Sequence, residues 1–161
     1  SSIAPYFREV FACEFLYKDG AAVWPKSAVN YTTKTQFLYR INKGVLELYE
    51  NNKVNASMPD EDKPVPMQNM VYIADGETDV PCMKTVRANG GFAIAVYDKK
   101  KKKPAASLFR DRRVDFLCEA DYSEGSKLDE IAKLIIDKVA PMDKLYRLHY
   151  QQVDEEEGRK K

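Results

Sequence analysis

Two aspartates stand four residues apart, Asp75 and Asp79, where the apolar run "MVYIA" (70–74) opens into "DGETDVPCMK". A carboxylate delivered by a buried strand onto a glycine-containing turn is a hard oxygen ligand. Mg²⁺ takes such ligands and keeps several waters, so one or two carboxylates and a substrate phosphate are enough to hold it. On that reading Asp75 ligates Mg²⁺ directly, and Asp79 holds a metal-bound water or the loop. Plain structure offers an alternative. Asp75 can make an Asx-turn, and Asp79 can cap the helix that Pro81 opens. The spacing leaves both open.

A third charged residue joins them. Lys34 follows two threonines at the start of a helical pattern. A cation there opposes the helix macrodipole at a cost of about 0.3–1 kcal/mol. An anion in front of it, phosphate or carboxylate, would offset that cost; a solvated lysine is the plain alternative. Other charged motifs read as solvent-facing. The run Lys99–Lys103 has no interleaved aromatics and lies in a chain of net charge +1. Asp60-x-Asp62 is flanked by prolines and follows no apolar strand. His149, the one histidine, falls in "LYRLHYQQ", which reads as a terminal helix, and no cysteine or serine pairs with it, which gives little support for a nucleophile–base pair.

The elements that must position these residues are legible in outline. Phe11–Tyr17, the turn "KDG" and "AAVWP" (21–25) predict a β-hairpin. Residues 31–44 predict a helix capped by Thr32 or Thr33, and "VLELYENN" can extend it by a turn or two. Residues 51–69, polar with three prolines, read as a loop. Strands follow at 70–74, 91–98 and 114–122, alternating with helices at 80–90, 104–113 and 123–141; Ser126 caps the last. Alternation with apolar strands predicts an α/β fold: a Rossmann-like, mostly parallel sheet with helices on both faces, plus the small hairpin. Ligands on such sheets sit beyond the carboxyl ends of strands, which is where Asp75 falls. The last residues, "DEEEGRKK", have no periodicity and read as a mobile tail.

Composition narrows the function classes. The chain has 161 residues, about one domain; 44% are hydrophobic and 32% charged. With 26 basic and 25 acidic residues, no global field draws it to nucleic acid or an anionic membrane. No apolar run reaches the roughly 20 residues of a membrane helix, and "SSIAPYFREVF" lacks the pattern of a signal peptide. Three scattered cysteines without a CxxC pair predict neither a zinc site nor a disulfide framework, and point to a reducing, cytoplasmic setting.

"IADGETDVPCMK" together with "YTTKTQFLYRINKG" resembles the haloacid dehalogenase-like (HAD) superfamily, above all its phosphoserine-phosphatase-like hydrolases. In that family a helix-starting lysine is the third motif. A strand ending in Asp, with a second Asp four residues on, is the fourth. Lys34, Asp75 and Asp79 match these positions. Ala74 departs from the frequent glycine, and Glu77-Thr78 from the usual pair. The resemblance covers about residues 6–140 and implies Mg²⁺-dependent hydrolysis of a small phosphomonoester through an aspartyl-phosphate. Lys34 and Asp79 would serve catalysis and Asp75 the metal.

The family's first motif, the Asp-x-Asp that carries the nucleophile, is not found, and no second motif is assigned to Ser1 or Ser2. Residues 1–150 are therefore expected to be a HAD-like core without its first strand, followed by a mobile tail at 151–161. Unpaired buried backbone groups cost about 1–3 kcal/mol each. A second chain or a segment outside these residues is thus expected to supply the missing strand. The alternative is a non-catalytic fragment or binding module. No Gly-rich phosphate loop follows a strand, which argues against a flavodoxin-like domain.

Overall fold

The computed structural model of the protein describes residues 4–158. Ser1 and Ser2, and the last three residues of the expected tail, lie outside them. Asp19 and Gly20 both take positive φ, 51° and 79°. That geometry matches the twist of paired strands, and it joins β1 (Glu14–Lys18) to β2 (Ala21–Ser27) as an antiparallel hairpin. The hairpin is exposed almost throughout, Phe15, Tyr17, Val23 and Trp24 included.

Helix α1 (Lys34–Lys43) stops where its chemistry says it should. Gly44 adopts φ 67°, its N–H reaches the Ile41 carbonyl (3.1 Å), and the Val45 N–H reaches the Arg40 carbonyl (2.9 Å). This closure satisfies carbonyls that would otherwise be orphaned. The expected extension through residues 45–50 does not form. The expected loop at 51–69 instead contains a short helix, α2 (Asn51–Asn55), and 3₁₀ turns at Asp60–Asp62 and Met67–Asn69. Each of α2 and the second turn buries one apolar side chain, Val54 and Met67, a pattern too short to show as periodicity.

The rest is a parallel sheet. β3 (Val71–Ala74), α3 (Val80–Ala88), β4 (Phe92–Tyr97), α4 (Lys102–Arg110) and β5 (Phe116–Glu119) alternate, and the strand order is β3-β4-β5. β4 is buried on both faces. Ala93 and Ala95 face Met83 of α3 and Ala105 and Leu108 of α4. Ile94 and Val96 face Leu128, Ile131 and Ile135 of α5 (Lys127–Glu156). This two-sided cover is why "FAIAV" is apolar without alternation. A third cluster, with Leu38, Met70, Cys82 and Val86, docks α1 onto α3. The turn before β4 leaves no room at Gly91: a Cβ there would sit 2.4 Å from the Met67 carbonyl oxygen and 2.8 Å from that of Met70.

Ser126 caps α5 as expected, its Oγ accepting from the Asp129 N–H at 3.1 Å. The helix then runs on through Pro141 to Glu156. An interior proline removes one backbone hydrogen bond and crowds the preceding turn, yet the helix continues. Over 151–156 the expected tail without regular structure is therefore corrected to helix. Among the described residues no helix is long and apolar enough to cross a membrane.

Candidate functional site at the end of strand β3

The site assembles from three places in the chain. β3 contributes Tyr72, the 3₁₀ turn Glu77–Asp79 contributes Thr78 and Asp79, and the first residue of α1 contributes Lys34. Lys34 Nζ donates to Asp79 Oδ1 at 2.8 Å and lies 3.4 Å from Thr78 Oγ1. Tyr72 OH donates to the same Asp79 Oδ1 at 2.7 Å, and Thr78 Oγ1 donates to Oδ2 at 3.3 Å. The Asp79 side chain is 8% exposed and that of Lys34 28%. One buried carboxylate thus accepts from an ammonium, a phenol and a hydroxyl. Away from bulk water such a charge pair is worth more than on the surface.

Local chemistry explains why Lys34 stands there. Asn30 organises the start of α1: its Oδ1 accepts from the N–H groups of Thr32 (2.9 Å) and Thr33 (3.1 Å), and its carbonyl accepts from Lys34 N–H (2.9 Å). Thr33 Oγ1 donates to the Ala28 carbonyl at 3.0 Å and makes no cap bond to the helix. The capping role expected of Thr32 or Thr33 belongs to Asn30. Thr35 Oγ1 lies 3.6 Å from Cys82 Sγ, linking α1 to α3 just beyond the site. The anion that a lysine at a helix start calls for is Asp79.

Asp79 occupies the N-cap position of α3 but makes no side-chain cap bond; its oxygens are committed to Lys34, Tyr72 and Thr78. Asp75 stands apart. It is exposed at the end of β3 and, among the described residues, has neither the Asx-turn bond nor an ion pair. The Mg²⁺ expected at Asp75, with Asp79 in its water shell, is corrected: among the described residues no group of three or more His, Cys, Asp and Glu side chains is arranged to hold a metal ion. The physical reason is visible in the carboxylates, one saturated by hydrogen bonds and the other alone on the surface.

Tyr72 and Thr78 are the members that sequence reasoning missed. A tyrosine inside an otherwise aliphatic strand is a weak signal, since a buried phenol needs a hydrogen-bond partner. Burial, and then the bond to Asp79, push the Tyr72 phenol well above the ordinary tyrosine range. It therefore stays a neutral donor wherever the protein works. The linkage has a definite sign. Folding disfavours the phenolate, so Tyr72's contribution is complete below about pH 10, the unfolded value, and declines as pH rises through it. Urea midpoints at neutral pH and at about pH 11 should fall further for the wild type than for Tyr72→Phe. Equal losses would mean that Tyr72 titrates as freely in the fold as out of it.

Comparison with known proteins adds one relative. Over 146 residues the chain is 33% identical to a protein of Borreliella burgdorferi described as an uncharacterized protein, a match covering 80% of this chain and 49% of that protein. The chain thus spans about half the length of the curated relative it matches. No family model and no solved structure matches.

Proposed function

We propose that these residues furnish the cation-and-acid half of a HAD-like phosphomonoester hydrolase, and that the complete protein works through an aspartyl-phosphate on a small phosphorylated substrate in the cytoplasm. The observation that carries the reading is the Lys34–Asp79 pair. Its partners are 45 residues apart in sequence and meet at the carboxyl end of a parallel strand. A helix-starting lysine and the second aspartate of a strand-end pair meet in this way if the third and fourth motifs of that family are both present.

The chemistry asks little covalent work of these side chains. A carboxylate attacks phosphorus as the bond to the alcohol oxygen breaks, the departing oxygen takes a proton from the acid–base aspartate of the family's first motif, and water then cleaves the acyl phosphate to release phosphate and restore the carboxylate. Two anions must approach each other in the first step. Lys34, held by Asp79 and Thr78 with one N–H donor to spare, neutralises the phosphoryl oxygens and the incoming carboxylate. Positioned charge of this kind carries most of phosphoryl-transfer catalysis.

The nucleophile would come from a strand laid along β3. Among the described residues β3 pairs with β4 alone, which leaves its other edge open there. A slot of about 210 Å³ beside it is lined by Val71 of β3 and by Ile135, Ile136, Val139 and Ala140 of α5. A further parallel strand there, from elsewhere in the protein or from a second chain, would end beside Asp75 and Lys34. An aspartate at that end would face the ammonium.

Phosphate release from p-nitrophenyl phosphate and a panel of small phosphomonoesters by the full-length protein is the direct test. Turnover is expected. A second reading, a non-catalytic binding module, is favoured by the immediate surroundings of Lys34. Among the described residues its ammonium touches Asp79 and Thr78 only, and Asp79 is too fully hydrogen-bonded to attack. A folded full-length protein without turnover would leave that reading standing.

A further inference from the structure

A depression of about 680 Å³ lies between α3 and the turn after α4, lined by Val80, Lys84, Arg87, Ala88, Arg112 and Arg113. It shares no residue with the Lys34–Asp79 cluster. Its cations converge on one depression, whereas those of the Lys99–Lys103 run lie on an exposed loop and the first turn of α4. Lys26, Lys53, Lys63, Lys99, Lys127, Lys133 and Arg147 each pair with a carboxylate. Lys84, Arg112 and Arg113 are exposed and, among the described residues, their side chains have no acidic partner.

The fourth cation is held in a frame. Arg87 Nε donates to Asp115 Oδ1 at 2.8 Å, and Nη1 donates to the Arg112 carbonyl at 2.5 Å. Asp115 is itself anchored, its Oδ2 accepting from the Ala93 N–H at 2.8 Å. Nη2 of Arg87 makes no hydrogen bond among the described residues. Arg112 takes φ 55°, a left-handed conformation that is strained for a non-glycine residue. That conformation sets the carbonyl that Arg87 grips and leaves the Arg112 and Arg113 side chains at the rim.

We infer that this depression is a second ligand site, and that it takes a short phosphoanhydride, two or three linked phosphates, as an inorganic chain or on a nucleotide. Four cations less the Asp115 carboxylate leave a net charge of three, which suits linked phosphates better than one. Guanidinium forks bind phosphate oxygens two at a time, and Arg87 is pre-oriented to do so. A single-stranded nucleic acid would want aromatic faces for its bases, and the lining has none.

The test is calorimetric titration of the full-length protein with inorganic tripolyphosphate and, in parallel, with ATP. Saturable binding of tripolyphosphate is expected, weakening as salt rises from about 50 to 200 mM. The double variant R112A/R113A should lose about tenfold or more in affinity with unchanged melting, since both side chains are exposed. The control K100A/K101A, on an exposed loop with no such frame, should bind as the wild type does. Tighter binding of ATP than of tripolyphosphate would assign the site to a nucleotide, and equal affinity to the phosphate chain alone. No heat at millimolar tripolyphosphate, equal weakening by both variants, or tighter, length-dependent binding of an RNA oligonucleotide would each overturn the inference. The Lys34–Asp79 reading does not depend on any of these results.

Discussion

Replacing Lys34 by methionine should lower kcat/KM for the proposed phosphomonoester hydrolysis by the full-length protein by about 10²–10³-fold, the usual loss when one pre-organised charge is taken from a transition state. The same change should cost about 2 kcal/mol of stability. It strips the cation from a carboxylate that is 8% exposed, and breaking a well-buried pair costs about 3–5 kcal/mol. The lower figure allows for an ammonium that is itself 28% exposed, and for Tyr72 OH and Thr78 Oγ1, which stay on Asp79. Lys34→Arg separates the two roles. It keeps the charge beside Asp79 and should restore most of the stability. Its longer, planar head cannot take the ammonium's place against the phosphoryl group, so activity should stay low. Steady-state kinetics and urea unfolding read both effects. A Lys34→Met protein with undiminished turnover would remove the lysine from the chemistry and leave it as a tie between α1 and the turn at 77–79.

Arg40→Met should be the most damaging change for the fold. Arg40 is 2% exposed and faces no carboxylate. Its guanidinium donates to the carbonyls of Glu47 (2.9 Å), Leu48 (3.1 Å) and Val45 (3.5 Å), and to Asn51 Oδ1. Residues 45–50 have no helix or strand partners for these carbonyls, so the arginine serves as their scaffold. Methionine keeps the apolar stem and removes every donor. Stranding several acceptors should cost about 3–4 kcal/mol, which corresponds to a melting temperature lower by roughly 10 °C in a domain of this size. The unpartnered Nε holds the loss below what the bond count alone suggests. Arg40→Lys should recover less than half, because one ammonium cannot span carbonyls three residues apart. Calorimetry and urea midpoints on the three proteins give the ranking. Equal stability of Arg40→Met and wild type would mean that residues 45–50 hold themselves.

Those two arginine and lysine roles differ in how far sequence reasoning reaches them. Lys34 was legible because a cation at a helix start is anomalous and predicts an anion. Arg40 was not, because a guanidinium on a helix face looks the same whether it meets water or carbonyls. The strands at 71–74, 92–97 and 116–119 were legible as apolar runs between turns, and Ser126 as a cap. A helix around His149 was legible in "LYRLHYQQ", but its continuity with the helix before Pro141 was not, since proline is a local stop signal that this helix overrides. The Mg²⁺ expectation failed for a similar reason. Spacing can bring two carboxylates near each other, but whether their oxygens are free depends on what else reaches them.

By itself the amino-acid sequence determined the alternation of sheet strands and helices from residue 70 onward, the hairpin turn at Asp19-Gly20, and the placing of Asp75, Asp79 and Lys34 at element ends. These depend on backbone preferences and side-chain periodicity within a few residues. Only the tertiary structure decided that Lys34 would choose Asp79 over Asp75, that Tyr72 and Thr78 would share the same carboxylate, and that Arg40 would hold a segment without secondary structure. Each of these is a hydrogen bond closed by the packing of separate elements, and for Lys34 and Asp79 no local pattern encodes an acceptor 45 residues away.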